Sequence, residues 1–224
     1  MEPDDQDAPA FDEVRRRARM VEHQLEARGI ADARVLDAMR RVQREQFVAV
    51  SLRRDAYADA PLPIGDGQTI SQPYIVALMT ESARVGPSDR VLEVGAGSGY
   101  ASAVLSLLAA RVYAIERHAG MCDAARTRLK RLGHRNVELR CGDGSVGWPE
   151  AAPFDAILVA AGGPAIPVAL CEQLADGGRL VMPVGDMPHH QQLVKVTRHG
   201  AAYRQETLCS VNFVPLIGAH GWPR

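Results

Sequence analysis

Residues 90–116, RVLEVGAGSGYASAVLSLLAARVYAIE, constrain this chain more than any other stretch. A short apolar strand, Val91 to Val94, runs into the glycine loop Gly95-Ala96-Gly97-Ser98-Gly99, and a helix of small and apolar residues follows. A second strand, Val112 to Ile115, then ends on the acid Glu116. Strand, glycine turn, helix, strand and acid make up the βαβ unit that holds an adenosine-containing ligand. Glycine is needed in such a loop because a Cβ would collide with a ligand lying against the backbone. The acid at the tip of the second strand is placed to accept hydrogen bonds from both ribose hydroxyls.

Two details select the ligand. The glycines are spaced GxGxG, not the GxGxxG that lets a pyrophosphate rest on a helix N-terminus. An acid, Glu93, also stands two residues ahead of the first glycine, where a diphosphate would be repelled. S-adenosylmethionine has no phosphate and brings an ammonium and a sulfonium, both cationic, so a carboxylate suits it. The expected cofactor is therefore S-adenosylmethionine and the expected class a methyltransferase. An ordinary tight turn is the competing reading of the glycines alone, and the strand, helix and second acid around them count against it.

At 224 residues, 46% hydrophobic and 24% charged, the sequence suits one α/β domain with a well-covered sheet. A net charge of −1 gives no sign of a polyanionic partner, and a nucleic-acid methyltransferase would more often present a basic face. There is no charged-then-apolar leader, and no apolar run approaches the roughly 18 residues of a membrane span. A cytoplasmic protein without nucleic-acid or membrane partners is expected. Cys122, Cys141, Cys171 and Cys209 form no CxxC pair, and three of them lie in apolar stretches, so reduced core cysteines are expected. His189-His190, beside Pro188, has no carboxylate or cysteine at ligand spacing, and no metal site is expected.

The acidic, proline-punctuated residues 1–10 are expected to be a disordered tail. A helical cap with an active-site loop over 11–85 and a cofactor-binding core over 86–224 complete the expected organisation. In the cap, Phe11 to Arg28 reads as a helix with Val14, Met20, Val21 and Leu25 on its apolar stripe, stopped by Gly29. Asp32 is a candidate cap for a second helix carrying Val35, Leu36 and Met39. Residues 47–67 read as loop and short turns, and Pro73 to Val85 as a helix with Ile75, Leu78 and Met79 inward. Further strands are expected at Val137 to Cys141, Ala156 to Val159, Arg179 to Pro183, Leu193 to Val196 and Tyr203 to Leu208, with helices at Gly120 to Leu132 and Ile166 to Leu174. Only His199-Gly200-Ala201 separate the cores of the last two strands, which should form an antiparallel hairpin.

Two further segments carry candidate chemistry. Asp143, in Cys141-Gly142-Asp143-Gly144, follows the third strand, where an acid can meet the exocyclic amine of adenine. A surface turn is the alternative, since Asp-Gly is a strong turn dipeptide. Upstream of the sheet lies Gly65-Asp66-Gly67-Gln68-Thr69-Ile70-Ser71-Gln72-Pro73. Ser71 is placed to N-cap the following helix, or to hydrogen-bond the group being methylated while its loop folds over the cofactor.

The motifs GDGQTISQPY, RVLEVGAGSGY, the strand end at Glu116, CGDG, PFDAILVAA, LADGGRLVMPVG and VNFVPL occur together and in this order. In this the chain resembles the protein-L-isoaspartate O-methyltransferases, over essentially everything from Val21 to Leu216, and QTISQP is the most specific of the matches. The resemblance implies a repair enzyme that esterifies the α-carboxylate of L-isoaspartyl residues in damaged proteins, after which the ester collapses to a succinimide. It implies Ser71 as the active-site serine. It also implies cofactor contacts from Thr69, Ser71, Glu93, Gly95, Ala96, Gly97, Ser98, Glu116, Asp143 and Gly144. A monomer is expected, since such an enzyme must admit varied protein segments and no long apolar stripe is left over. Two positions depart from the family's habit: Gly162-Gly163, where a bulkier pair is common, and Asn212, where arginine is common. The rival readings are a methyltransferase for a carboxylate in one dedicated peptide, a small-molecule or RNA methyltransferase, and a cofactor-binding protein without catalysis.

Overall fold

The structure is a computed structural model and describes residues 8–187 and 190–223. Helix α1 (Ala8–Arg19) begins three residues before the expected start, so Ala8 to Ala10 are helical, while the rest of the expected tail lies outside the described residues. The helix runs on through a π turn, Met20–Leu25, and a 3-10 turn, Glu26–Arg28, to a left-handed Gly29. Met20, Val21 and Leu25 are buried as expected, but Val14 is 52% exposed. At that level Arg17 faces inward instead, its guanidinium donating to the Tyr57 hydroxyl at 3.2 Å.

Helix α2 (Ala33–Arg41) is capped by Asp32, whose carboxylate accepts from the Arg34 amide, and it buries Val35, Leu36 and Met39. Residues 47–67 are more regular than expected. Two 3-10 turns, Arg44–Phe47 and Val50–Asp55, lead to strand β1 (Leu62–Gly65), which pairs antiparallel with β2 (Gln68–Ile70). Asp66 and Gly67 both take positive φ, 50° and 70°, the left-handed pair that a two-residue hairpin demands and that Asp-Gly accommodates. Helix α3 (Pro73–Ser82) follows at once. Its buried residues are Pro73, Val76, Ala77, Met79 and Thr80, whereas Ile75 and Leu78 are only half-buried.

The main sheet comprises β3 (Arg90–Val94), β4 (Arg111–Glu116), β5 (Val137–Cys141), β6 (Phe154–Val159), β7 (Leu174–Met187), β8 (His190–His199) and β9 (Ala202–Val211). Between them lie α4 (Tyr100–Ser106), α5 (Ala119–Arg131) and α6 (Val168–Glu172). The spatial order is β5-β4-β3-β6-β7-β8-β9, parallel from β5 to β7, with β8 antiparallel to both its neighbours. The expected β8–β9 hairpin is present. α6 spans five residues rather than the expected run to Leu174, because Leu174 already pairs with Phe154 as the start of β7.

Chain direction around the sheet reverses between β3 and β6, which makes a crevice at their carboxyl ends. The strands beneath it are apolar on both faces: Val91, Leu92, Val94, Ile115, Ile157 and Val159 are all at most 2% exposed. Each such side chain contributes about 1.5–3 kcal/mol through burial, so the crevice stands on a tightly packed base. The β9 edge is different, mostly exposed and carrying Arg204 and Glu206, the latter paired to Lys195 at 2.9 Å, and exposed charge on an edge discourages edge-to-edge pairing. All four cysteines are free, but only Cys122 is buried; Cys141 is exposed, and Cys171 and Cys209 are half-buried. No helix among the described residues is long and apolar enough to cross a membrane.

Candidate active site

The crevice is a cleft of about 920 Å³ whose wall includes Thr69, Ser71, Glu93, Gly95, Ala96, Gly97, Ser98, Glu116 and Gly144. Nine of the ten expected site residues thus come together, from segments far apart in sequence. Asp143 is the exception, and lines a neighbouring cavity with Arg117, Gly218 and Trp222.

The loop after β3 folds as it does because Gly95, Gly97 and Gly99 all lie in the left-handed region, at φ 87°, 54° and 88°, which costs glycine little and other residues much. Glu116, 5% exposed at the end of β4, ties that loop down. Its Oε2 accepts from the Gly97 amide at 2.8 Å and its Oε1 from the His118 amide at 2.9 Å. Each oxygen keeps lone-pair capacity towards the cleft for further donors. Arg128 supports the loop from outside, donating to the Ser98 carbonyl at 2.8 Å.

Glu93 is 2% exposed and takes a hydrogen bond from the Ser102 hydroxyl. Burial pushes its pKa up to about 8 against that bond, and the nearby Glu116 carboxylate adds to the rise. The buried charged groups of the cleft wall are therefore two carboxyl groups, while an exposed Arg117 and a half-buried His118 also line it. It is suited to a ligand that is cationic and carries no phosphate, and it fits S-adenosylmethionine better than a dinucleotide.

Asp143 is occupied structurally. Its Oδ1 accepts from the Ser145 amide and hydroxyl at 2.8 and 2.7 Å, and its Oδ2 from the Ala219 amide at 2.7 Å. Burial would raise its pKa, but these bonds outweigh it and hold the carboxyl below the usual range. The turn reading of Asp143 thus has a definite form: it clasps the C-terminal strip. A Cβ at Gly218 would stand 2.0 Å from Asp143 Oδ1, so only glycine lets the strip pass this close. The strip is pinned at its other end by mutual amide–carbonyl bonds of Gly162 with Val214 and Leu216, both 2.8 Å, and by the Trp222 indole donating to the Gly162 carbonyl at 3.0 Å. Val214, Pro215, Leu216 and Ile217 thereby form a wall of the cleft that the glycine motif alone did not announce, though VNFVPL was among the matching segments.

Ser71 does not cap α3. The N-cap is Gln72, with no side-chain cap bond, and its amide reaches Asp59 instead. Ser71 lies just after β2 at the junction of two cavities. With Thr69, Ala160 and Val214 it borders both the cleft and a second groove of about 1300 Å³. That groove is walled by neutral polar groups, among them Gln72, Gln192, Ser210 and Asn212, together with His190, Phe213 and Ile75. His189 lies outside the described residues, and no cluster of three or more metal-ligating side chains occurs among them.

The site has close parallels. Residues 15–221 match the family model for protein-L-isoaspartate(D-aspartate) O-methyltransferase. The protein-L-isoaspartate O-methyltransferase of Methylorubrum populi is 60% identical over 92% of this chain and 96% of its own. Protein-L-isoaspartate O-methyltransferase 2 of Pelobacter propionicus is 57% identical over 92% of both chains. Among solved structures, a protein-L-isoaspartate O-methyltransferase superposes with a TM-score of 0.82 at 29% identity, covering 92% of this chain and 67% of that one. A putative Plasmodium falciparum relative in complex with S-adenosyl-L-homocysteine gives 0.77 at 26% identity, covering 90% and 98%. Matched by the family model over residues 15–221 and 60% identical to the Methylorubrum populi enzyme along nearly its whole length, the chain belongs to the protein-L-isoaspartate(D-aspartate) O-methyltransferase family.

Proposed function

We propose that this protein methylates the free α-carboxylate of L-isoaspartyl residues in damaged proteins and peptides, using S-adenosylmethionine, and so starts their repair through a succinimide. The observation that carries the reading is the position of Ser71 on the wall shared by the cleft and the groove. A hydroxyl stands where a carboxylate arriving from the groove would meet a methyl donor seated in the cleft.

When bound, S-adenosylmethionine supplies an electrophilic methyl group. Glu116 would hold the ribose hydroxyls, the backbone of Gly95, Ala96, Gly97 and Ser98 would pack against the amino-acid moiety, and Glu93 would face its positive charge. Thr69 and Gly144 complete the enclosure, and Asp143, besides clasping the C-terminal strip, retains acceptor capacity for the adenine amine. An α-carboxylate has a pKa of about 3.3–3.7, so at neutral pH it needs no base. Ser71 donates a hydrogen bond to the acceptor and orients it. Alignment of two reactants in this way can be worth roughly 7–11 kcal/mol.

The groove's neutral amides and hydroxyls can satisfy a peptide backbone without selecting a side-chain charge, which favours varied damaged segments over one dedicated peptide. We further infer that residues 11–224 act as one methyltransferase unit and as a monomer. The large exposed apolar side chains among the described residues, such as Val50, Val168 and Met187, are scattered along the chain. The test is transfer of labelled methyl groups to matched peptides carrying L-isoaspartate or L-aspartate. Base-labile label on the isoaspartyl peptide alone is expected; label on both or on neither sends the search to another acceptor.

A further inference from the structure

Arg44 is the largest fully buried side chain among the described residues, at 0% exposure, and its hydrogen bonds and ring contact involve two carbonyls and a tyrosine rather than a carboxylate. Its Nε donates to the Ala56 carbonyl at 2.7 Å and its Nη2 to the Ser71 carbonyl at 2.8 Å. Its guanidinium carbon lies 4.7 Å from the centroid of the Tyr100 ring, while Nη1 is buried without a hydrogen-bond partner. Phe47, at the other end of the same 3-10 turn, meets that ring edge-on at 5.6 Å. Tyr100 is the first residue of α4, directly after the glycine loop, and lines the cofactor cleft.

A guanidinium in a dry interior is costly unless its charge and its donors are used. Filling the space alone would be cheaper with methionine or leucine. What arginine adds is a planar fork that bonds two carbonyls and stacks on a ring at once, which a lysine ammonium cannot do. One of those carbonyls belongs to Ser71, and the ring belongs to the cofactor side of the site.

We propose that Arg44 is a positioning residue for methyl transfer: it fixes the Ser71 backbone against Tyr100, so that the serine hydroxyl and the cofactor cleft are held in register. The proposal rests on the reading of Ser71 as the group that orients the acceptor carboxylate. Arg44 itself is buried behind Ser71 and acts through it.

The experiment is a double-mutant cycle of Arg44→Lys and Ser71→Ala in the full-length protein. Turnover is measured at saturating S-adenosylmethionine and isoaspartyl peptide, and counted per S-adenosylhomocysteine site titrated by calorimetry, so that unfolded protein drops out. Arg44→Gln serves as a second variant if the lysine form folds poorly. We expect Arg44→Lys to lower kcat at least 20-fold while the S-adenosylhomocysteine Kd stays within threefold. The double variant should be no slower than Ser71→Ala alone, because a residue acting through Ser71 has nothing left to align. Wild-type kcat in Arg44→Lys, parallel loss of kcat and cofactor affinity, or losses that multiply in the double variant would each overturn the positioning role while leaving Ser71 in place. Full turnover in Ser71→Ala would overturn the role of Ser71 and with it that of Arg44.

Discussion

The two sides of the cleft are built in different ways. The floor, from β3 through the glycine loop to Glu116, is held by its own backbone and by strands buried on both faces, with Gly97 and Glu116 only nineteen residues apart. The roof, Gln68 to Ser71, is a three-residue strand and its exit, held by a ribbon turn and by a guanidinium from twenty-seven residues away. The floor is therefore a local motif that many chains can carry. The roof depends on the cap folding against it, and on the reading proposed above it is the side that meets the acceptor.

Substitutions should separate the two sides. Ser71→Ala strikes the roof and should lower kcat on the order of 100-fold, the size found when one preorganised donor is removed from a reacting oxygen. Calorimetry with S-adenosylhomocysteine should still give near-native affinity. Unchanged turnover would remove the roof from the mechanism. Glu116→Ala strikes the floor and should do the reverse. It removes charge-assisted bonds worth about 1.5–3 kcal/mol, so the S-adenosylhomocysteine Kd should rise roughly tenfold to a hundredfold, with kcat at saturation much less affected. Equal effects on both parameters would erase the distinction.

A subtler test concerns Glu93. Its native pKa of about 8 lies above its ordinary 4.5, so the ligand-free protein binds a proton there that the unfolded chain has released. Its stability should therefore fall as pH rises from 4.5 towards 8. The cationic cofactor favours the ionised form, so S-adenosylmethionine affinity should climb with pH over the same interval, with proton release on binding near neutrality. Titrations in buffers of different ionisation enthalpy should lose that release in Glu93→Gln; equal release in both proteins would assign the proton elsewhere. The smallest effect is expected of Asp143→Ala. Loss of its bonds to the Ser145 and Ala219 amides should cost about 1 kcal/mol each, seen as a melting point lower by several degrees. A variant that keeps its melting point but no longer binds cofactor would make Asp143 a ligand contact first and a clasp second.

This contrast also explains what could be foreseen from sequence. The floor was legible because glycine spacing, an apolar strand and a terminal acid are short-range signals whose meaning hardly depends on the rest of the chain. β1 carries no such signal, since four residues interrupted by Pro63 show no alternation. Ser71 is recognisable by its motif, and of its two readings the helix cap does not hold, because the chain places Gln72 at that point and points the Ser71 carbonyl at Arg44. Nothing near Arg44 in sequence marks it: the carbonyls it grips belong to Ala56 and Ser71. The clasp at Asp143 likewise leaves no local mark, because its partner strip lies seventy-six residues further along. Pairings over such distances leave no periodicity to read.

The clasp of Asp143 on Ala219, with Ser145 holding His220, has a consequence for how the protein comes into being. A ribosome delivers a chain from its N-terminus, and units tend to fold as they emerge. Here the glycine loop, Glu116 and Ser71 are all made well before Val214 to Ile217, which wall the same cleft. A nascent chain can thus have its sheet paired as far as β6 and still possess only an open-sided cleft. The ability to hold the methyl donor should appear late and abruptly, when that final strip swings in and is fastened.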